Sequence, residues 1–236
     1  MPEALVITPV KDSLETTKKT IQSVNASEGN FLHVVFNDFS LEETTQFLEN
    51  SKAVYGFELV NLEALTSNPS PNYKLALQLA QTKALELKAS LIIIESDVIV
   101  KKDTIVNLLE ISRTVNLPGM VGAITVGADG MYNFPYNYVK KKSAEILETR
   151  HSLSFCCTLL TNEFLNRFDF KELSSKKDWF DIYISRRSKK LGFKNYLAKN
   201  NEVLHLPHSS RPWKQLKYTN PLKYYIYKYL KNRDRI

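Results

Sequence analysis

Apolar and polar positions alternate along the first half of the chain with two different periods. Ala4 to Val10 reads as an apolar strand despite Thr8, and Phe31 to Phe36 and Phe57 to Leu62 read as the second and third strands. Between them, Asp12 with Glu15 and Ser40 with Glu43 have the spacing of helix capping boxes, the first opening a helix through about Val24. Thr66 to Asn72 carries two prolines and reads as a loop. The stripe Ala76, Leu79, Ala80 and Leu87 predicts a helix over Tyr73 to Lys88. Leu91 to Ile94 has the pattern of a strand buried on both faces, ending at Glu95-Ser96-Asp97. Asp103 caps a further helix to about Val115, and Met120 to Val126 is another strand.

Repeated strand–helix units predict an α/β fold with an open, mostly parallel sheet and flanking helices. Ligands in such sheets bind beyond the carboxyl ends of the strands, where Asp38 and Asp97 fall. The second half is less regular. Gly127 to Asn137 is a loop, Ser154 to Leu160 a strand, Asp178 to Lys190 a helix stopped by Gly192, and Phe193 to Ala198 a short strand. No linker divides residues 1–210, so one domain followed by a tail is the simplest organisation.

Charge changes this picture only at the end of the chain. Residues 211–236 hold eight basic residues and one acid, whereas the first 210 carry 24 basic and 24 acidic groups. The body therefore has no compositional footprint for nucleic acid. In the tail, Pro221 suits a first helical position, and Leu222, Tyr225, Ile226, Tyr229 and Leu230 follow helical spacing with Lys223, Lys228 and Lys231 on the other side. A basic amphipathic helix with interfacial aromatics over residues 221–236 suits an anionic membrane surface, or else packs its stripe on the domain. No apolar run approaches the ~20 residues of a membrane helix, and Met1-Pro2-Glu3 carries no mark of export, so a cytoplasmic location is the expectation. The two cysteines, Cys156 and Cys157, are adjacent, which suits neither a structural disulfide nor metal spacing. They read as buried thiols.

Three groups of residues carry candidate chemistry. Glu95-Ser96-Asp97 presents two carboxylates at a strand tip, able to hold a hard divalent cation that neutralises a diphosphate, or simply to cap a neighbouring helix. Glycine-rich phosphate loops are missing from a chain with only seven glycines, which favours the metal alternative. Asp178 and Asp181 share one face of a helix start, where a carboxylate can act as general base or serve only the helix dipole. His205 or His208, read as loop residues, can complete a metal site begun by Asp97 or remain a surface histidine.

The order of these features resembles the family 2 glycosyltransferases, which have the GT-A fold. Val6-Ile7-Thr8-Pro9 is similar to the family's opening strand, and Asn37-Asp38-Phe39-Ser40 to its Asp-Asp-Gly-Ser segment. Glu95-Ser96-Asp97 stands in the place of the Asp-x-Asp metal motif. Phe168-Asp169, Asp178-Trp179-Phe180-Asp181, Leu191-Gly192-Phe193-Lys194 and Val203-x-His205 resemble later motifs in the same order. The resemblance covers about residues 4–210. It implies a nucleotide-sugar-binding half, 1–126, and an acceptor-side half, 127–210. It also implies a UDP- or dTDP-sugar donor bound by Thr8, Pro9, Asp38, Lys74, Glu95, Ser96 and Asp97. Mn2+ or Mg2+ would be held by Asp97 with Glu95 and His205, and transfer to a glycan or lipid-linked acceptor would proceed with inversion. The family's Glu-Asp pair is displaced here, leaving Trp179 where its base aligns, so either Asp178 or Asp181 takes the proton, with Asp178 at the helix start favoured. A sugar nucleotidyltransferase and a catalytically degenerate adaptor in polysaccharide assembly are the alternatives.

Overall fold

The structure is a computed structural model that describes residues 1–132, 136–139, 143–174, 179–207 and 220–230, without the side chains of Asn137, Pro221 and Lys228. Its elements are β1 (Ala4–Val10), α1 (Leu14–Asn25), β2 (Phe31–Asn37), α2 (Glu42–Ser51), β3 (Glu58–Asn61), α3 (Tyr73–Glu86), β4 (Ser90–Ile94), β5 (Val98–Ile99), α4 (Thr104–Thr114), β6 (Pro118–Val126), β7 (Ile146–Glu148), β8 (Cys157–Leu160), α5 (Asn162–Arg167), α6 (Phe180–Lys190), β9 (Lys194–His205) and α7 (Pro221–Leu230).

The nine described strands form one sheet in the order β3-β2-β1-β4-β8-β6-β9-β5, with β7 paired to β9. β1 to β4 are mutually parallel, and β6 is parallel to β9. β8 is antiparallel to both β4 and β6, so a strand from late in the chain is wedged between two from the first half.

Continuous apolar strands follow from burial on both faces. Leu5, Ile7, Leu91, Ile93, Met120 and Ile124 face one core with Ala76, Leu77 and Ala80 of α3. Ala4, Val6, Ile92, Ile94, Val121 and Ala123 face a second core with Val24 of α1 and Ile105, Leu108 and Leu109 of α4. Neither period-2 face is left for water, and alternation vanishes from the sequence. Gln81 joins α3 to the turn after α5. Its amide donates to the carbonyls of Leu165 and Phe168 at 2.9 and 2.6 Å, and its oxygen accepts from Phe170 N–H at 2.8 Å.

Several local expectations change. Neither capping box forms: α1 begins after Ser13 and α2 after Leu41, both without side-chain caps. The polar groups are spent across the two loops instead. Leu41 N–H donates to Asp12 Oδ1 at 2.7 Å, and Asp12 N–H to Ser40 Oγ at 3.0 Å, clasping the β1–α1 and β2–α2 turns together. The final strand is twelve residues, not a short one, because its second part pairs with β6 beyond a bulge and then with β5. His205 consequently ends a strand rather than lying in a loop.

Among the described residues no helix is long and apolar enough to cross a membrane. The apolar stripe of α7 does not pack away: Leu222, Tyr225 and Ile226 are exposed and Tyr229 is 88% exposed, while Tyr224 is buried at 4%.

Candidate active site

β4 delivers Glu95 to the carboxyl edge of the sheet, and a turn closed by Val98 N–H donating to Glu95 C=O at 3.1 Å carries the chain through Ser96 and Asp97 into β5. β5 is only two residues long, yet it sets the site. It pairs Val98 with His205, and Leu206 N–H donates to the Asp97 carbonyl at 2.8 Å. His205 Nε2 thereby lies 3.3 Å from Asp97 Oδ2. Burial alone would depress the His205 pKa, but the hydrogen bond and charge of Asp97, joined by Glu95, outweigh it and leave the pKa above the ordinary histidine value.

One donor atom each of Glu95, Cys156 and His205 lies within 4.8 Å of the others. Asp97, fully buried, adjoins them through His205. This donor set fits a divalent cation: carboxylate oxygen and imidazole nitrogen are ligands for it, and the negative field that raises His205 is the field it would meet. Ser96 is half-buried in the same turn. Cys156 was not legible as a site residue. It stands opposite Glu95 where the β4–β8 ladder continues, with Glu95 N–H donating to its carbonyl at 3.0 Å. Burial, with the charges of Glu95 and Asp97, pushes its thiol well above the ordinary value. For Cys157 burial alone pushes the thiol up to about 12.

Asp181 lies in the first turn of α6. Its charge reaches the hydroxyl of Tyr136, a fully buried residue whose pKa is raised by burial first, then by Cys156, Tyr138 and Asp181. Tyr136 Oη accepts from Ser154 N–H at 2.9 Å, two residues before Cys156. Ser154 Oγ in turn lies 3.1 Å from Cys156 Sγ, and Tyr73 makes ring contacts with Phe155 and with Phe180, the residue before Asp181. Asp178 and His208 lie outside the described residues.

The nucleotide-side candidates are more dispersed. Asp38 is buried, and its carboxylate accepts from Ser70 Oγ at 2.7 Å and from Asn72 N–H and Nδ2 at 2.8 Å each. It pins the loop that starts α3, fixing Tyr73 and the half-buried Lys74 that follow. Thr8 is fully buried with its hydroxyl 3.0 Å from His33 Nε2, between the sheet and its helices, and Pro9 beside it is half-buried. Phe39, where the resembled motif has glycine, keeps a glycine-like backbone with φ +56°.

No protein-family model matches the chain, and no curated protein matches it by sequence. Solved structures do. A mannosyltransferase of Pyrobaculum calidifontis, PcManGT, in complex with GDP-Man and Mn2+, superposes with a TM-score of 0.66 at 13% identity, covering 95% of this chain and 63% of that one. Residues 1–349 of S. aureus TarS give 0.65 at 14% identity, covering 92% and 64%. GalNAc-T7 with UDP, GalNAc and Mn2+ gives 0.65 at 14%, covering 88% and 44%. The fold is GT-A-like. This chain spans less than two thirds of the length of each of those chains. Within the GT-A-like sheet, Glu95, Asp97 and His205 gather at the carboxyl edge, which is the ligand-binding edge of open α/β sheets.

Proposed function

We propose that the chain is a metal-dependent, inverting glycosyltransferase of the family 2 type, moving a sugar from a UDP- or dTDP-sugar to a hydroxyl of a glycan or lipid-linked acceptor in cell-surface polysaccharide or glycolipid synthesis. The observation that carries this reading is the convergence of Glu95, Asp97 and His205, from two distant segments, at the carboxyl edge of a fold shared with known glycosyltransferases.

Asp97, Glu95 and His205 would hold Mn2+ or Mg2+, which when bound supplies positive charge to the departing diphosphate. The fixed turn holds both acids without loop ordering, and burial of Asp97 strengthens its field relative to water. Asp181 takes the acceptor hydroxyl proton, or Asp178 does so in its place. Asp38 acts on the nucleoside side chiefly by holding the start of α3, which presents Lys74 toward the diphosphate, while Thr8, Pro9 and Ser96 shape the donor's bed. Residues 1–210 form the catalytic domain, with 1–126 taking the donor and 127–210 the acceptor.

The exposed stripe of α7 favours a second element of the proposal. The basic tail lays Leu222, Tyr225, Ile226 and Tyr229 into an anionic membrane surface, making the enzyme cytoplasmic and peripheral on the inner face. Thermal stabilisation across a panel of nucleotide-sugars, with and without Mn2+, tests the donor site. A metal-dependent rise in Tm with one donor, absent in Asp97→Ala, is expected. No stabilisation by any donor, together with no transfer or hydrolysis, would end the reading.

A further inference from the structure

Cys156 stands among the candidate metal donors, and nothing in glycosyl transfer requires a thiol there. Its Sγ is 3.5 Å from Glu95 Oε2 and 3.1 Å from Ser154 Oγ. The residue is buried at 4% exposure, and the antiparallel register holds its backbone against that of Glu95. His205 closes the group from a third segment, all three donor atoms lying within 4.8 Å of one another. A tetrahedral cation with a metal–sulfur bond of ~2.3 Å and a metal–oxygen bond of ~2.0 Å spans a sulfur–oxygen edge of ~3.5 Å. The Cys156–Glu95 separation has that length.

We propose that Glu95, Cys156 and His205 form a mixed oxygen, sulfur and nitrogen site for a thiophilic divalent cation of the Zn2+, Co2+ or Cd2+ class, with Asp97 holding the imidazole. Occupation forms a metal–thiolate bond, and the S–H proton leaves to solvent; no atom changes oxidation state. Oxygen-only sites suit Mg2+ and Mn2+, whereas a thiolate shifts preference toward softer ions that already stand higher in the affinity order. Zinc therefore competes with the hard cation for Glu95 and His205. That competition rests on the proposed function, but the coordination itself does not.

The test is titration of the full chain with Co2+ in thiol-free buffer. A saturable thiolate-to-cobalt charge-transfer band at one ion per chain is expected. It should be lost in Cys156→Ser, kept in Cys157→Ser and bleached by Zn2+. Zinc affinity should fall in Cys156→Ser by at least the ~10–100-fold that loss of an outer-shell partner costs. Serine keeps the size and polarity of the side chain, and near-UV circular dichroism reports its packing. Glu95→Gln gives a second variant, in which cobalt affinity should fall as well. Absence of the band in the native protein, or its persistence in Cys156→Ser, overturns the proposal. Mn2+-dependent stabilisation of the native protein by nucleotide-sugars is read separately, so either idea can fail while the other stands.

Discussion

The Nε2 of His205 and the Oδ2 of Asp97 stand 3.3 Å apart, although one residue ends β9 and the other lies in the turn after β4. Two backbone links, Val98 against His205 and Leu206 N–H to Asp97 C=O, hold them there independently of the side chains. Replacing the carboxylate by its isosteric amide should therefore spare the fold and remove the charge. Asp97→Asn is expected to lose Mn2+-dependent donor stabilisation and to lower transfer by ~10²–10³-fold, the scale of several kcal/mol of charge stabilisation. Isothermal titration with Mn2+ and a transfer assay check it.

Asp181 offers a sharper distinction. If it takes the acceptor proton, Asp181→Asn should lower kcat by ~10²–10⁴-fold while leaving donor affinity in place. Asp178→Asn should then be near-silent in kcat. A reversal between the two variants reassigns the base without touching the rest of the site.

His33 predicts the pH dependence of stability. It is fully buried beside Thr8, and burial lowers its pKa from 6.5 to about 3. The unfolded chain binds a proton below pH 6.5 that the folded chain refuses, so this residue's contribution is intact above 6.5 and is lost as pH falls toward 3. Each pH unit within that window costs up to ~1.4 kcal/mol. His33→Leu should flatten the fall of Tm between neutral and mildly acidic pH, read by circular dichroism melts.

Gln81 satisfies two buried carbonyls and one buried N–H. Gln81→Leu fills the same space but orphans all three, and a loss of about 3 kcal/mol is expected. Chemical denaturation with an unchanged m-value would give that figure directly.

The tail makes its own prediction. Deletion after Asn220 should release the protein from anionic vesicles at moderate salt while leaving donor binding to residues 1–210. Tyr229→Ser with Leu222→Ser should weaken vesicle binding through lost apolar contact, because both residues are exposed. Equal sedimentation of truncated and full-length protein would sink the membrane role.

The parallel half of the sheet was legible because its buried strands are mostly apolar, Leu91 to Ile94 without interruption and Ala4 to Val10 broken only by the buried Thr8. β1 ends where its pattern ends, and β4 leads straight into Glu95. What escaped was whatever depends on pairing. β5 and β7 are two and three residues long, too short to show a period, and exist through their hydrogen bonds to β9. The capping boxes at Asp12 and Ser40 were misread for a related reason: the same polar atoms satisfy each other across loops, which no local pattern encodes. Cys156 escaped because its chemistry comes from Glu95 opposite it, a neighbour defined only by strand register.

The wedging of β8 between β4 and β6 has a consequence for biosynthesis. A nascent chain released only as far as Val126 would hold β4 with an open flank and β6 with two, since both neighbours of β6 arrive later. Such raw edges invite pairing with other chains. The sheet can close only after residue 205 has left the ribosome, so cutting the gene at the apparent midpoint should give an aggregating fragment rather than a working nucleotide-binding module.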